Sequence, residues 1–149
     1  MKHIGLIGEA LTGSAIGAFY AVYDELGSGF LEHIYVAALQ RELCRRGHDV
    51  ARETSVPVFF RGERIGLQRL DMVVDQQLVV EVKAAESALD YGSKQLFSYL
   101  RATRLEVGLL FSFGAKPVFK RVVCRNALKA DKAGHDGHDR TGGYDWTPV

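Results

Sequence analysis

The chain has 149 residues, 47% of them hydrophobic and 25% charged, with a formal net charge of +1. Such a length accommodates one domain with a sizeable core, and the composition is ordinary for a globular protein. The near-zero charge excludes a nucleic-acid binder that works through a global basic field, so affinity for phosphate would have to come from a local patch or a bound metal.

Lys2 precedes a mostly apolar segment, Ile4 to Val22, which Glu9 interrupts and Gly and Thr dilute. No clear small-residue cleavage site closes it, so it reads as a soluble helix rather than an export signal or a membrane span. A first helix is predicted over Leu6 to Leu26, with Leu11, Ala15, Phe19 and Val22 recurring at helical spacing. Gly13 and Gly17 weaken it, which suggests close approach of another backbone there. Gly27-Ser28-Gly29 ends it, and a second helix is predicted from Phe30 to Arg46, stopped by Gly47. Glu32 falls on the stripe of Tyr35, Leu39 and Leu43. It either simply complements the positive end of the helix or points inward to a charged site. Cys44 and Cys124 belong to no CxxC pattern and read as reduced, buried thiols of a cytoplasmic protein.

Val50 to Phe60 reads as a strand that Pro57 confines to an edge or makes irregular. Arg61-Gly62-Glu63 is a turn, and strands follow over Arg64 to Val74 and Leu78 to Lys83. Between the last two lie Asp75-Gln76-Gln77. A three-residue loop there sets Val74 against Leu78, Met72 against Val80 and Leu70 against Val82, all on one apolar face. The opposite face then carries Asp71 directly across from Glu81, with Lys83 two residues on. Like charges abreast destabilise a sheet, so something compensates: a hard cation, for which carboxylate oxygens are ligands, or Lys83 itself. The plainer alternative is a half-exposed hairpin whose charges face water.

Ala84 to Tyr91 is a connection or helix entry, and Gly92 to Arg104 reads as a helix with Leu96, Tyr99, Leu100 and Thr103 on one side and Lys94, Gln95 and Ser98 as a polar flank. Val107 to Phe113 has the continuous apolar character of a strand buried on both faces, Gly114 to Pro117 turns, and Val118 to Val123 is the last strand. A helix between two strands favours a mixed sheet with a crossover. Residues 1–125 form the expected domain, and the polar, Gly-rich 126–149 is expected to be a disordered tail unless it docks. His135-Asp136-Gly137-His138-Asp139 has metal-ligand residue types but no predicted scaffold around it, so a flexible tail is preferred.

Gly29-Phe30-Leu31-Glu32-His33-Ile34-Tyr35 has the form GxxExxY. With Asp24-Glu25-Leu26-Gly27, Glu81-Val82-Lys83, Gln95 to Leu100 and Gly108 to Gly114, it makes the chain resemble the GxxExxY protein family, a branch of the PD-(D/E)XK nuclease-like superfamily. The similarity runs from about Ile7 to Val123. It implies an α/β restriction-endonuclease-like fold, an αβββαβ core whose mixed central sheet is flanked by helices. It also implies Asp71 and Glu81 as ligands of Mg²⁺ (or Mn²⁺), joined by the Val82 carbonyl, with Glu32 holding metal through water or steadying the charges. Lys83 would orient the attacking water, and Gln95 would position Lys83 or the substrate. A His common near Tyr23 in that family is missing here, and Leu70 stands where the superfamily has Pro. The implied function is Mg²⁺-dependent hydrolysis of DNA or RNA, with nucleic acid as partner, no membrane, and a homodimer left open. The alternatives are a silent nuclease-fold module that binds nucleic acid or protein, and a purely structural charge cluster.

Overall fold

A computed structural model of the protein describes residues 8–133. Two helices, α1 (Glu9–Leu26) and α2 (Glu32–Arg45), precede three strands, β1 (Val50–Phe60), β2 (Glu63–Val74) and β3 (Leu78–Lys83). A short 3₁₀ turn (Glu86–Ala88) leads into α3 (Leu89–Ala102), then β4 (Val107–Phe113), β5 (Pro117–Val123) and α4 (Asn126–Ala133). The five strands form one mixed sheet in the order β1-β2-β3-β4-β5. Only β3–β4 is parallel, and α3 makes the crossover between them. The expected element order and mixed sheet are therefore present.

Each face of the sheet carries its own core. Met72, Val74, Val80, Val82, Leu109 and Phe111 pack under α1 and α2. Phe19 stacks on Phe111 at 4.4 Å and Tyr35 on Phe113 at 4.1 Å between ring centroids. On the other face Val73, Val79 and Leu110 meet Leu96, Tyr99 and Leu100 of α3. Two faces covered by helices explain why every residue of β4 is buried. Pro57 lies in β1, an edge strand, where a missing N–H costs no ladder bond to a further neighbour.

Several expectations change. Leu70 does not face Val82: it joins the α3-side cluster with Val56, Val73 and Val79, because β2 parts from β3 beyond Met72. Cys44 is exposed and only Cys124 is buried, since Cys44 lies one residue past Leu43, off the buried stripe of α2. No backbone approaches Gly13 or Gly17 closely; at Gly17 the neighbour is the Arg46 guanidinium, 2.8 Å from where a Cβ would lie. The first eight residues assigned to the tail form α4, and Asn126 and Lys129 bond to the backbone carbonyls of Arg104, Thr103 and Leu105. The His135 to Asp139 stretch lies outside the described residues. Among the described residues no helix is long and apolar enough to cross a membrane.

A chain of polar side chains fastens one end of the sheet. Ser14 on α1, His48 before β1 and Asp75 in the β2–β3 turn are linked by hydrogen bonds of 2.7 Å each through the two imidazole nitrogens. Asp75 also accepts the Asp49 amide. Ser14 lies within a helix whose amides are engaged by helix carbonyls, so this chain is a clasp between α1 and the two turns.

Candidate active site

The site starts from a lapse in the sheet. The β2–β3 ladder runs in the expected register, Val74↔Leu78, Val73↔Val79 and Met72↔Val80, and stops there. One step further the side chains take over the backbone bonds. The Val82 amide donates to Asp71 Oδ2 at 2.8 Å, and the Asp71 amide donates to Glu81 Oε1 at 3.1 Å. On its other side Asp71 faces Glu53, where the β1–β2 ladder also skips a pair and Glu53 takes a left-handed φ of 53°. A non-Gly residue is strained there, and such strain persists only where surrounding structure enforces it. Asp71 thus occupies a point where the pairing on both sides has opened.

This geometry crowds two carboxylates in a partly dry place. Glu81 is 5% exposed. Burial pushes its pKa up to about 8, and the Asp71 carboxylate adds to the rise, while the Asp71 amide and Lys83 oppose it. Burial and crowding therefore favour the protonated form of Glu81 unless a cation arrives. Lys83, half-buried on the same strand face as Glu81, runs beneath α3, where its Cε lies 3.3 Å from the position of a Cβ on Gly92. The absence of a side chain at Gly92 leaves room for that lysine.

Glu32 reaches the site from the first turn of α2. The residue as a whole is exposed, yet partial burial of its carboxyl raises its pKa. Lys83 and the Ala84 amide oppose the rise and Asp71 adds to it, which places Glu32 within electrostatic range of both strands. Its position is fixed by the GxxExxY stretch itself. Gly29 adopts a φ of 108°, open to glycine. Tyr35 then donates to the Gly27 carbonyl at 2.6 Å and accepts the Phe30 amide at 3.1 Å, clamping the loop that launches α2.

The remaining expected residue is less engaged. Gln95 is half-buried on α3, one turn beyond Gly92, and its side chain makes no hydrogen bond among the described residues. Tyr23, where a His was missed, donates to the Gly114 and Ala115 carbonyls at 2.8 and 2.9 Å, so it ties α1 to the β4–β5 turn.

Four residues of the site carry no sequence signal. Tyr99 on α3 is buried, and desolvation followed by the Glu81 and Asp71 carboxylates drives its phenol pKa up, which puts it within electrostatic range of the acidic pair. Glu53, Arg52 and Arg69 line a cleft of about 470 Å³ together with Glu32, His33 and Asp71. Helical or strand periodicity places these four only as ordinary core or surface positions.

The donor set suits a hard divalent ion. Asp71 and Glu81 offer only oxygens, and each keeps one carboxylate oxygen outside the two amide bonds. Among the described residues no three His, Cys, Asp or Glu side chains form a ready-made cage. Mg²⁺ is commonly held by one or two carboxylates with waters and substrate phosphate completing its shell, so the pair fits it.

A family model of the PD-(D/E)XK nuclease superfamily matches residues 9–122. The chain belongs to that superfamily. Searches of curated proteins and of solved structures returned no match. For this PD-(D/E)XK protein, the mixed five-stranded sheet flanked by helices agrees with the superfamily's fold. The Asp71, Glu81 and Lys83 constellation lies inside the matched span.

Proposed function

We propose that the protein is a metal-dependent nuclease of the GxxExxY type that hydrolyses phosphodiester bonds of DNA or RNA. The observation that carries this reading is the interlock of Asp71 and Glu81 across the parting β2 and β3, with Lys83 on the same face. A structural ion pair alone would not need two carboxylates at a point where the ladder opens.

Asp71 and Glu81, with the Val82 carbonyl, would hold Mg²⁺, and Mn²⁺ suits the same oxygens. When bound, the cation acidifies a coordinated water and polarises a phosphoryl oxygen. Glu81 must first release its proton, which ties metal binding to pH. Lys83 orients the attacking water and offsets the charge that gathers on the phosphate oxygens. Glu32, from the helix end, would hold the metal through water or steady the charges of Lys83 and Asp71. Gln95 positions Lys83 or the substrate backbone from α3.

The test is cleavage of end-labelled single- and double-stranded DNA and RNA with Mg²⁺, Mn²⁺ or chelator. Wild-type cleavage that disappears in chelator and in Glu81→Ala and Lys83→Ala supports the reading; activity unchanged in both variants ends it. Tight binding without product points instead to a silent module. A calorimetric titration that shows no Mg²⁺ or Mn²⁺ binding points to a structural charge cluster.

A further inference from the structure

We propose that Arg69 and Arg52 form a phosphate cradle that seats the sugar–phosphate backbone of a nucleic acid beside Asp71 and Glu32. This rests on the nuclease reading above and names the groups that hold its substrate.

The cleft lined by Glu32, Glu53 and Asp71 is also lined by two arginines, Arg52 and Arg69. Opposite charges in one cleft would be expected to pair. They do not: among the described residues, neither arginine forms an ion pair with a carboxylate. Arg52 Nη1 donates instead to the neutral Gln40 amide oxygen at 2.8 Å, while its Nε is enclosed with no acceptor. That hydrogen bond anchors the guanidinium between β1 and α2. A half-enclosed cation without a counter-charge is costly, and an incoming anion removes the cost. Arg69 is exposed, and its side chain makes no hydrogen bond among the described residues.

Placement decides which anion. Arg69 precedes Asp71 by two residues on β2, so their Cα atoms lie about 6–7 Å apart along the strand. Arg52 pairs with Met72 on the neighbouring strand, next to the Glu53 and Asp71 position. The two cations therefore flank the carboxylates at their own end of the cleft rather than cover them. A single small anion would need one of them; a chain of phosphates, one at the acidic pair and others beside it, engages both. Guanidinium groups suit this task because their planar donors match phosphate oxygens. The net charge of +1 concentrates the affinity in this local feature.

The experiment uses the full chain with Glu81→Gln to block turnover, and fluorescein-labelled oligodeoxynucleotides, single-stranded and duplex, titrated by anisotropy across NaCl concentrations. Arg69→Gln and Arg52→Gln are added singly, with Arg52→Lys as a charge-preserving companion and Arg101→Gln, on the last turn of α3, as the control. Each Gln variant should weaken binding about tenfold and reduce the salt slope by about 0.7–0.9. Arg52→Lys should keep the salt slope, and Arg101→Gln should change neither quantity. In otherwise wild-type protein, Arg69→Gln should raise KM about tenfold with kcat retained, the signature of a contact made equally in ground and transition states. Binding that is equal in all variants overturns the cradle, as does the absence of binding by the parent. Cleavage by wild type with unaltered arginine variants sinks the cradle and leaves the nuclease standing. Arginine-dependent binding with no cleavage does the reverse.

Discussion

The Val82 amide donates to Asp71 Oδ2 at 2.8 Å, where a continued β2–β3 ladder would offer a backbone carbonyl. A side chain thus completes the hydrogen bonding of a strand, and the strands gain the gap in which two carboxylates meet. The site is accordingly a region that a neutral side chain would stabilise, and the proposed function would oppose stability there.

The first prediction follows from the proton on Glu81. Its folded pKa lies above the ordinary value of 4.5, at about 8, so the folded state binds this proton more tightly than the unfolded state does. Stability of the chelated protein is then fully supported below pH 4.5 as far as this group is concerned, and it falls as pH rises through about 8. The slope is at most about 1.4 kcal/mol per pH unit. Glu81→Gln should flatten the fall and abolish cleavage, and Mg²⁺ should counter it in wild type only. Denaturant melts between pH 5 and 9 decide this; a wild-type curve that rises over that window contradicts the assigned burial.

Tyr35→Phe keeps the ring stacked on Phe113 but removes the bonds to the Gly27 carbonyl and the Phe30 amide. A loss of about 1–3 kcal/mol is expected. Because that loop launches α2 and Glu32, activity should fall by more than Glu32→Gln alone would explain through charge. Retained stability together with full activity would show that the hydroxyl is idle.

Gly92→Ala separates fold from chemistry. A Cβ would lie 3.1 Å from Leu110 Cδ2 and 3.3 Å from Lys83 Cε, so these side chains must give by a few tenths of an ångström. Helix propensity gains up to about 1 kcal/mol from the exchange, which offsets the crowding. Stability should stay close to wild type while kcat drops roughly tenfold through displacement of Lys83. Equal kcat values would mean that Lys83 tolerates its neighbour.

His48→Ala should cost about 1–3 kcal/mol by opening the Ser14–His48–Asp75 clasp, with cleavage unaffected once the protein is folded. A thermal melt paired with a cleavage assay below the transition measures both. Loss of specific activity in folded protein would tie the clasp to the site at the far end of β2.

Much of this molecule was legible before any fold was known, and the boundary has a physical cause. Period-two and period-3.6 patterns are local, so the strands, the helices and the pairing of Val74 with Leu78 followed from residues a few positions apart. The same arithmetic set Asp71 and Glu81 across from each other and Lys83 on their face, while the GxxExxY resemblance supplied Glu32. Leu70 escaped it because periodicity assumes a straight strand, and β2 leaves its partner just there. The Cys44 thiol escaped because a general preference for burial is weaker than one residue's offset around a helix.

The amino-acid order by itself determined the elements, their register and the acidic pair, because each depends on repeating contacts at short separation. Only the tertiary structure decided that the ladder opens on both sides of Asp71, that Tyr99 comes within electrostatic range of the carboxylates, and that Arg52 and Arg69 line the cleft with no carboxylate partner among the described residues. Those features depend on where distant strands and helices come to rest, and no spacing along the chain encodes the distance between two elements that part.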